Sequence, residues 1–330
     1  MSAALLDAQD LAVHYRIGGG LLHRARALPA VEEVSLILEA GETLGIVGES
    51  GCGKSTLGRA LLGLTPITRG RVMLAGVDLT SLSARALRAH RRHAQMVFQD
   101  PLASLDPRMT VGQILAEPLR VHEPSMTPLA VRARALSLLE RVGLGAAALD
   151  GYPHEFSGGQ CQRIGIARAL MLRPRLLVCD EPVSALDVSI QGQIVNLLQD
   201  LQAEQGLGLV FIAHDLAVVR HISHRVQVMY LGRTVETGPT AAIFAAPRHP
   251  YTRGLLDAVP EPRPGAPLRV PVAGDLPSPL DPPSGCAFHP RCPRAQARCR
   301  TEAPALRPLG ADRAVRCHFP LDDSTSARPA

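Results

Sequence analysis

The sequence predicts an α/β fold built on a largely parallel sheet, and two features of the 330-residue chain indicate it. Short apolar runs alternate with longer stretches of helical periodicity, and buried parallel strands are typically continuous apolar runs because both faces of their sheet are covered. A glycine-rich turn also joins one apolar run directly to a helical stretch, as expected where strands and helices alternate. The predicted strands are 43–47, 95–98, 176–179 and 209–213, and the predicted helices are 57–64, 130–142, 160–172 and 190–205.

Composition is that of a globular protein, with 46% hydrophobic and 20% charged residues and a mean hydropathy of +0.09. The net charge of +5 is spread along the chain, and only 3% of residues are aromatic, so no stacking platform for nucleic acid accompanies it. No apolar run reaches the roughly 20 residues of a membrane-spanning helix, and the first ten residues lack the features of a secretion signal. We therefore expect a cytoplasmic protein that neither spans a membrane nor binds nucleic acid.

The predicted elements divide the chain into parts. Between 100 and 155 the strand-like runs disappear and the pattern is helical, which indicates a helical insertion. From 247 to 283 the chain carries 11 of its 28 prolines, a density expected to prevent regular helix or a central strand. We predict a main domain at 1–245 with a helical subdomain at about 100–160, a Pro-rich linker or arm at 246–283, a Cys-rich extension at 284–320 and a flexible tail at 321–330.

The glycine-rich turn, GESGCGKS, has the spacing and the strand-to-helix context of a P-loop. Its glycines let backbone N–H groups converge on phosphate oxygens, and the helix N-terminus adds positive potential. Lys54, the single lysine beside 34 arginines, is expected to reach the β- and γ-phosphates, and Ser55 to bind Mg²⁺. An ordinary structural turn is the alternative. The predicted nucleotide contacts here are Gly48, Glu49, Ser50, Gly51, Cys52, Gly53, Lys54, Ser55 and Thr56, and modification of the Cys52 thiol is expected to weaken binding.

Two carboxylates follow the predicted strand 176–179. Paired acids at the end of a buried strand are costly unless a cation or a polarised water uses them. We expect Asp180 to hold Mg²⁺ through water, and Glu181 to orient or deprotonate the water that attacks the γ-phosphate. A solvated strand end is the alternative, and the P-loop upstream favours the catalytic interpretation.

A third segment, Phe156-Ser157-Gly158-Gly159-Gln160, opens a predicted helix between these two elements. It resembles the signature segment of ATP-binding cassette (ABC) ATPases, with Phe where Leu is usual. The resemblance implies a P-loop NTPase of ABC type, with a RecA-like core sheet, N-terminal antiparallel strands and a helical subdomain, followed here by the Pro-rich, Cys-containing extension. It also implies that Ser157, Gly158, Gly159 and Gln160 complete the ATP site of a partner subunit.

Further residues match the family pattern one by one. Gln99 resembles the glutamine that contacts Mg²⁺ and the lytic water, and His214 resembles the histidine that contacts the γ-phosphate. Asp187 ends a segment, 184–187, similar to the loop that bridges two subunits, and Tyr15 is the implied adenine-stacking aromatic. The resemblance therefore implies an ATPase that uses Lys54, Gln99, Glu181 and His214 in catalysis and Ser55, Gln99 and Asp180 for Mg²⁺.

The resemblance covers nearly the whole chain and points to the second of the two ATPases of oligopeptide and dipeptide importers. The segments 48–56, 178–189, 248–253 and 274–286 carry it. It implies import of peptides, or of nickel or another small solute in the same branch. It also implies a second homologous ATPase, two polytopic permease subunits and an extracytoplasmic solute-binding protein, with this chain peripheral on the cytoplasmic face of the membrane. A soluble ABC ATPase acting on nucleic acid or ribosomes is the alternative, although the chain lacks a second cassette and long insertions.

The extension carries four of the seven cysteines, namely Cys286, Cys292, Cys299 and Cys317. A segment with so few apolar residues folds poorly without a cross-link or a bound metal. Four thiolates can hold a [4Fe–4S] cluster or zinc. The spacing lacks the C-x₂-C pairs of common zinc sites, which favours iron–sulfur, and some ATPases of the resembled branch carry a cluster here. The alternative is that the four cysteines pack as small apolar side chains.

Overall fold

The computed structural model describes residues 4–18, 26–184, 186–259, 274–310 and 312–322. Within these residues every predicted strand is confirmed to within one position at each end. The described strands are β1 (Leu6–Ile17), β2 (Arg26–Leu38), β3 (Thr43–Val47), β4 (Arg69–Leu74), β5 (Val77–Asp78), β6 (Ala94–Val97), β7 (Leu176–Asp180), β8 (Gly208–Ile212), β9 (Arg225–Tyr230), β10 (Arg233–Pro239), β11 (Arg307–Pro308) and β12 (Ala314–Val315).

The predicted helices are also confirmed, with small shifts at their ends. The helix predicted at 57–64 begins at Lys54 and ends at Leu61, because Gly63 adopts a left-handed conformation (φ 60°) that closes the last turn. The described helices are α1 (Lys54–Leu61), α2 (Ala84–His90), α3 (Pro101–Ser104), α4 (Val111–His122), α5 (Pro128–Arg141), α6 (Gly158–Leu170), α7 (Val188–Gln205), α8 (Leu216–Ile222), α9 (Thr240–Ala245), α10 (Pro250–Asp257) and α11 (Ala297–Thr301). Across the described ranges, no helix has both the length and the apolar character to span a bilayer.

The described chain divides into two compact units, of which the first comprises the described residues within 1–6, 38–43 and 73–212. Its β6, β7 and β8 pair in parallel, with Leu176 of β7 opposite Ala94 of β6 and Gly208 of β8. All residues of β7 and β8 are buried. The helices α3, α4 and α5 lie in the segment predicted as a helical insertion and all contact α6. Two short 3₁₀ turns lie between α5 and α6.

The second unit comprises the described residues within 7–37, 44–72 and 213–330. Here β1 lies between β2 and β4, and β3 pairs in parallel with β9. Strand β9 then pairs antiparallel with β10, and β10 pairs with β12 of the extension through Glu236 opposite Val315. The two short extension strands, β11 and β12, therefore continue the β-structure that carries the P-loop strand β3.

The expectation that 247–283 contains no regular helix is wrong for its first part, where α10 forms. Pro250 stands in the first turn of α10, where its missing N–H removes no helical hydrogen bond. His249 caps the helix by accepting the N–H of Tyr251 on Nδ1 at 3.0 Å. Residues 260–273, the centre of the predicted linker, and 323–330, most of the predicted tail, lie outside the described residues.

One buried carboxylate ties this region together. Glu236 of β10 is fully buried and accepts the backbone N–H groups of Arg248 (2.8 Å) and His249 (2.9 Å). It also accepts Nη2 of Arg313 at 2.7 Å, just before β12. Because a buried charge is tolerated when it is paired and hydrogen-bonded, this carboxylate holds the start of α10 and the extension against β10.

Acidification is expected to destabilise the fold through His249. Burial lowers the pKa of His249 to about 3, whereas the unfolded chain titrates at about 6.5, so below that pH only the unfolded chain takes up the proton. The stability that His249 contributes is complete above about pH 6.5 and falls by about 2 kcal/mol at about pH 5. Urea unfolding over this pH range measures the slope.

The matched variant is His249→Asn, which keeps a capping side chain but cannot titrate. It is expected to flatten the dependence of the unfolding free energy on pH over the same range. An unchanged slope in this variant would show that another group dominates the acid response.

Candidate nucleotide-binding site

The P-loop residues lie in the second unit, between the end of β3 at Val47 and the start of α1 at Lys54. Two of its glycines are required by the backbone. A Cβ on Gly48 (φ 153°) would lie 2.3 Å from the carbonyl oxygen of Met229, and one on Gly53 (φ 99°) would lie 2.1 Å from that of Ala30. The loop therefore passes closer to neighbouring backbone than any side chain allows, which shapes it to present N–H groups at the start of α1.

Lys54 is 5% exposed, and its Nζ donates to the backbone carbonyls of Gly48 (2.7 Å) and Glu49 (3.0 Å). The ammonium group therefore lies inside the loop that the sequence assigns to phosphate. A compact ammonium with three donors fits this position, whereas a planar guanidinium demands more space. Ser55 and Thr56 are half-buried in the first turn of α1.

Cys52 is 1% exposed, and burial, the largest influence, raises the pKa of its thiol, against a smaller lowering by Lys54. A protonated, inaccessible thiol is a poor nucleophile. The structure therefore removes the physical basis for the expectation that thiol modification of Cys52 weakens nucleotide binding. The exposed positions of the loop are Ser50 and Gly51.

The acidic residues lie in the first unit, at the end of β7. Asp180 is fully buried, and Glu181 adopts a left-handed conformation with φ 48°, while its N–H donates to the carbonyl of Ile212 at 2.9 Å. Gln99 donates from Nε2 to Oε2 of Glu181 at 3.1 Å. The structure thus brings together two of the predicted catalytic side chains, and a non-glycine residue in this conformation is often found at a functional position.

The signature segment begins α6 with an exposed N-terminus. Ser157 caps the helix, because its Oγ accepts the N–H of Gln160 at 3.3 Å and Oε1 of Gln160 accepts the N–H of Ser157 at 2.9 Å. Ser157, Gly158 and Gln160 are exposed, and Gly159 is half-buried. An exposed start of a 13-residue helix with two glycines in its first turn can receive an anionic group from outside the chain.

The remaining predicted site residues are His214, Asp187 and Tyr15. His214 follows β8 and is exposed, and Asp187 is exposed at the start of α7. Tyr15 is 37% exposed on β1, so its ring is available for stacking. Sequence reasoning missed two other side chains, Tyr251 and Arg291, which contact the P-loop residue Glu49. The only signal for Tyr251 was its place in the segment 248–253.

The four cysteines of the extension line one small pocket and are all free thiols. Burial raises the pKa of Cys286 and Cys292, and that of Cys317 to about 11. Among the residues that the structure describes, no three His, Cys, Asp or Glu side chains are arranged to hold a metal ion. The structure therefore gathers the predicted ligands around one pocket without forming a metal site.

Comparison with known families gives two matches. The family model described as "ABC transporter" matches residues 31–184, and the model described as "Oligopeptide/dipeptide transporter, C-terminal region" matches 235–299. The first match contains the P-loop, Gln99, the signature segment and both acids. The second contains Tyr251 and Arg291.

Relatives in curated collections are similar over almost their whole length. The chain is 55% identical over 320 residues to a probable peptide ABC transporter ATP-binding protein, y4tS, of Sinorhizobium fredii, covering 96% of this chain and 90% of that protein. It is 55% identical over 308 residues to the oligopeptide transport ATP-binding protein OppF of Escherichia coli, covering 92% of each. It is 49% identical to OppF of Haemophilus influenzae, covering 95% and 96%.

Solved structures give the same fold class. The ATP-binding cassette MJ0796, a dimer bound to ADP and Pi, aligns with a TM-score of 0.65 at 28% identity and covers 71% of this chain and 98% of its own. CbiO1 of Clostridium perfringens, part of the transporter complex cbiONQ, aligns with a TM-score of 0.63 at 25% identity, covering 74% and 92%. The predicted P-loop NTPase fold of ABC type is confirmed.

Proposed function

Because this chain belongs to the ATP-binding proteins of ABC transporters, we propose that it is the subunit whose ATP hydrolysis drives import of oligopeptides or dipeptides across a membrane. The observation that carries the proposal is the similarity to OppF along 92% of both chains, which includes the C-terminal region as well as the cassette. The buried Lys54 inside the P-loop and the Gln99–Glu181 contact support ATPase chemistry in this chain.

We propose the following roles in ATP hydrolysis. The N–H groups of the P-loop and the Lys54 ammonium bind the phosphates, and Tyr15 stacks on the adenine. Ser55, Gln99 and Asp180 would hold Mg²⁺, which would neutralise charge on the phosphate oxygens. Glu181 accepts the proton of the attacking water, Gln99 fixes the Glu181 carboxylate by its hydrogen bond, and His214 contacts the γ-phosphate.

We propose that each ATP-binding site is completed by residues of a second subunit. The exposed N-terminus of α6 offers Ser157, Gly158, Gly159 and Gln160 to a γ-phosphate bound by the partner, and Asp187 contacts the partner next to it. The partner is a second homologous ATPase, so that ATP joins the two cassettes and hydrolysis separates them. In this proposal residues 1–245 form the ATP-binding domain, residues 100–160 form its helical subdomain, and residues 284–320 form an extension of the domain.

An importer of this family also requires membrane permeases and a solute-binding protein. We propose that two polytopic permease subunits bind this chain at the cytoplasmic face of the membrane, where it is peripheral. Selectivity for the solute then lies in the permeases and the binding protein, which are other chains. No binding of nucleic acid is expected, since aromatic residues that could stack on bases make up 3% of the chain.

Co-purification tests these partners. The tagged chain is extracted from its host membranes in mild detergent with Mg-ATP, and the proteins bound to it are identified by mass spectrometry. Two polytopic proteins and a second cassette ATPase are expected. Recovery of ribosomes or nucleic acid without a membrane subunit would overturn the transport assignment, and a nickel-binding protein as the solute receptor would overturn the assignment to peptides.

We further propose that Cys286, Cys292, Cys299 and Cys317 ligate a metal centre, either a [4Fe–4S] cluster or zinc. The support is that all four line one pocket, and ligation would release the protons that burial retains on the thiols. Anaerobically purified chain is expected to contain about four iron atoms or about one zinc, lost on replacing Cys292 and Cys317 by Ser. Absence of both metals from the unaltered chain would overturn the proposal.

A further inference from the structure

Two residues of the C-terminal region, Tyr251 and Arg291, contact the P-loop through Glu49. We propose that these are positioning residues that set the affinity of the P-loop for ATP, and that they act through Glu49. The proposal rests on the assignment of ATP binding to this loop. It gives the C-terminal region, matched by a family model of its own, a part in nucleotide binding.

The first contact is a two-pronged ion pair. Arg291 donates from Nη1 to Oε2 of Glu49 at 2.7 Å and from Nη2 to Oε1 at 2.9 Å. The Arg291 side chain is only 6% exposed, and that of Glu49 is 25% exposed. A guanidinium in this geometry binds a carboxylate in one orientation, so the Glu49 side chain is fixed.

The second contact fixes the backbone of the same residue. The hydroxyl of Tyr251 accepts the N–H of Glu49 at 2.8 Å. The Tyr251 ring is fully buried and packs on Tyr230 at 4.7 Å and on Phe288 at 5.3 Å between ring centroids. Since this backbone N–H and this carboxylate belong to one residue, the two contacts together define how the loop leaves β3.

The same aromatic rings hold Arg291 in place. Its guanidinium lies 5.9 Å from the centroid of the Tyr230 ring, and Tyr230 packs edge-on against Phe288 at 5.3 Å. Phe288 and Arg291 both lie in the stretch between Cys286 and Cys292. The segment that carries the cysteines is therefore coupled directly to the P-loop, across 242 positions of sequence.

The charges of Arg291 and Glu49 predict whether each variant weakens or strengthens ATP binding. Glu49 places a carboxylate within the loop that receives the negatively charged phosphates, and Arg291 compensates that charge. If Arg291 is neutralised, the uncompensated carboxylate repels ATP, whereas neutralising Glu49 leaves a positive charge that attracts ATP. A contact that merely stabilised the fold would make both single variants bind ATP more weakly.

The test compares Arg291→Gln, Glu49→Gln and the double variant in the full chain, using fluorescent ATP with Mg²⁺ and measuring Kd. Arg291→Gln is expected to weaken binding about tenfold, Glu49→Gln to tighten it, and the double variant to return within about threefold of the unaltered chain. Arg300→Gln, exposed in the same extension, is the control. Thermal unfolding of each variant checks the fold.

Two milder variants keep the test decisive if Arg291→Gln fails to fold. Arg291→Lys keeps the charge but loses the two-pronged geometry, so a loss of about threefold is expected, and Tyr251→Phe removes only the acceptor for the Glu49 N–H and should also weaken binding. Equal losses of ATP affinity in the Arg291→Gln and Glu49→Gln variants, or an unchanged Kd in Arg291→Lys and Tyr251→Phe, would overturn this inference. Neither result would affect the proposed function. Failure of the unaltered chain to bind ATP would overturn the proposed function with it.

Discussion

Replacing Glu181 by Gln is expected to abolish steady-state ATP hydrolysis while ATP binding is retained. The amide keeps the size of the side chain and can still hydrogen-bond Gln99, which lies 3.1 Å from Oε2 of Glu181, but it cannot accept a proton from water. Loss of a general base costs roughly 100- to 10,000-fold in turnover. Phosphate release measures turnover, and fluorescent ATP measures binding.

The same variant, mixed with the second ATPase, should accumulate ATP-bound dimers, because in the proposed cycle hydrolysis is the step that separates the two cassettes. Size-exclusion chromatography with ATP is expected to show a larger species than without ATP. Glu140→Gln, an exposed change on α5 of the same unit, is the matched control and should hydrolyse ATP normally. Turnover near the unaltered rate in the Glu181→Gln variant would remove Glu181 from the reaction.

Replacing Lys54 by Arg is expected to weaken ATP binding by roughly 100-fold, although the positive charge is kept. The Lys54 ammonium is buried and bound to two carbonyl oxygens of the loop, and the larger planar guanidinium cannot take this place without moving the loop. Isothermal titration with Mg-ATP measures the loss.

The control exchanges the same two residue types in the opposite direction. Arg59 is exposed on α1, the helix that Lys54 begins, so Arg59→Lys should bind ATP as the unaltered chain does. Equal affinity for ATP in the Lys54→Arg variant and the unaltered chain would show that charge alone suffices, and that the geometry of the P-loop does not require lysine.

The core strands and the P-loop could be predicted from sequence because both depend on local patterns. The apolar run of β7 is continuous because every residue of the strand is buried. The P-loop could be recognised from the spacing of its glycines, Lys54 and Ser55 between the strand β3 and the helix α1. The signature segment was also local, and its Ser157–Gln160 cap follows the spacing of a capping box.

The parts that sequence reasoning missed depend on contacts between distant positions. No local pattern indicates that Arg291 meets Glu49, since the two are 242 positions apart. The helix α10 was missed because proline density was taken to exclude helix, whereas Pro250 at the first turn permits it. For the cysteines, spacing could suggest shared ligation, but only three-dimensional packing shows that they line one pocket.

The most direct test of the central claim is peptide uptake by the reconstituted transporter. The complex that co-purifies with this chain is placed in lipid vesicles with its solute-binding protein, and uptake of labelled peptides is measured with Mg-ATP supplied on the side of this chain. Uptake is expected to require ATP and to be lost when this chain carries Glu181→Gln. Uptake that continues without ATP or with that variant, or ATP hydrolysis that no peptide stimulates, would contradict the assignment of this chain as the ATPase of a peptide importer.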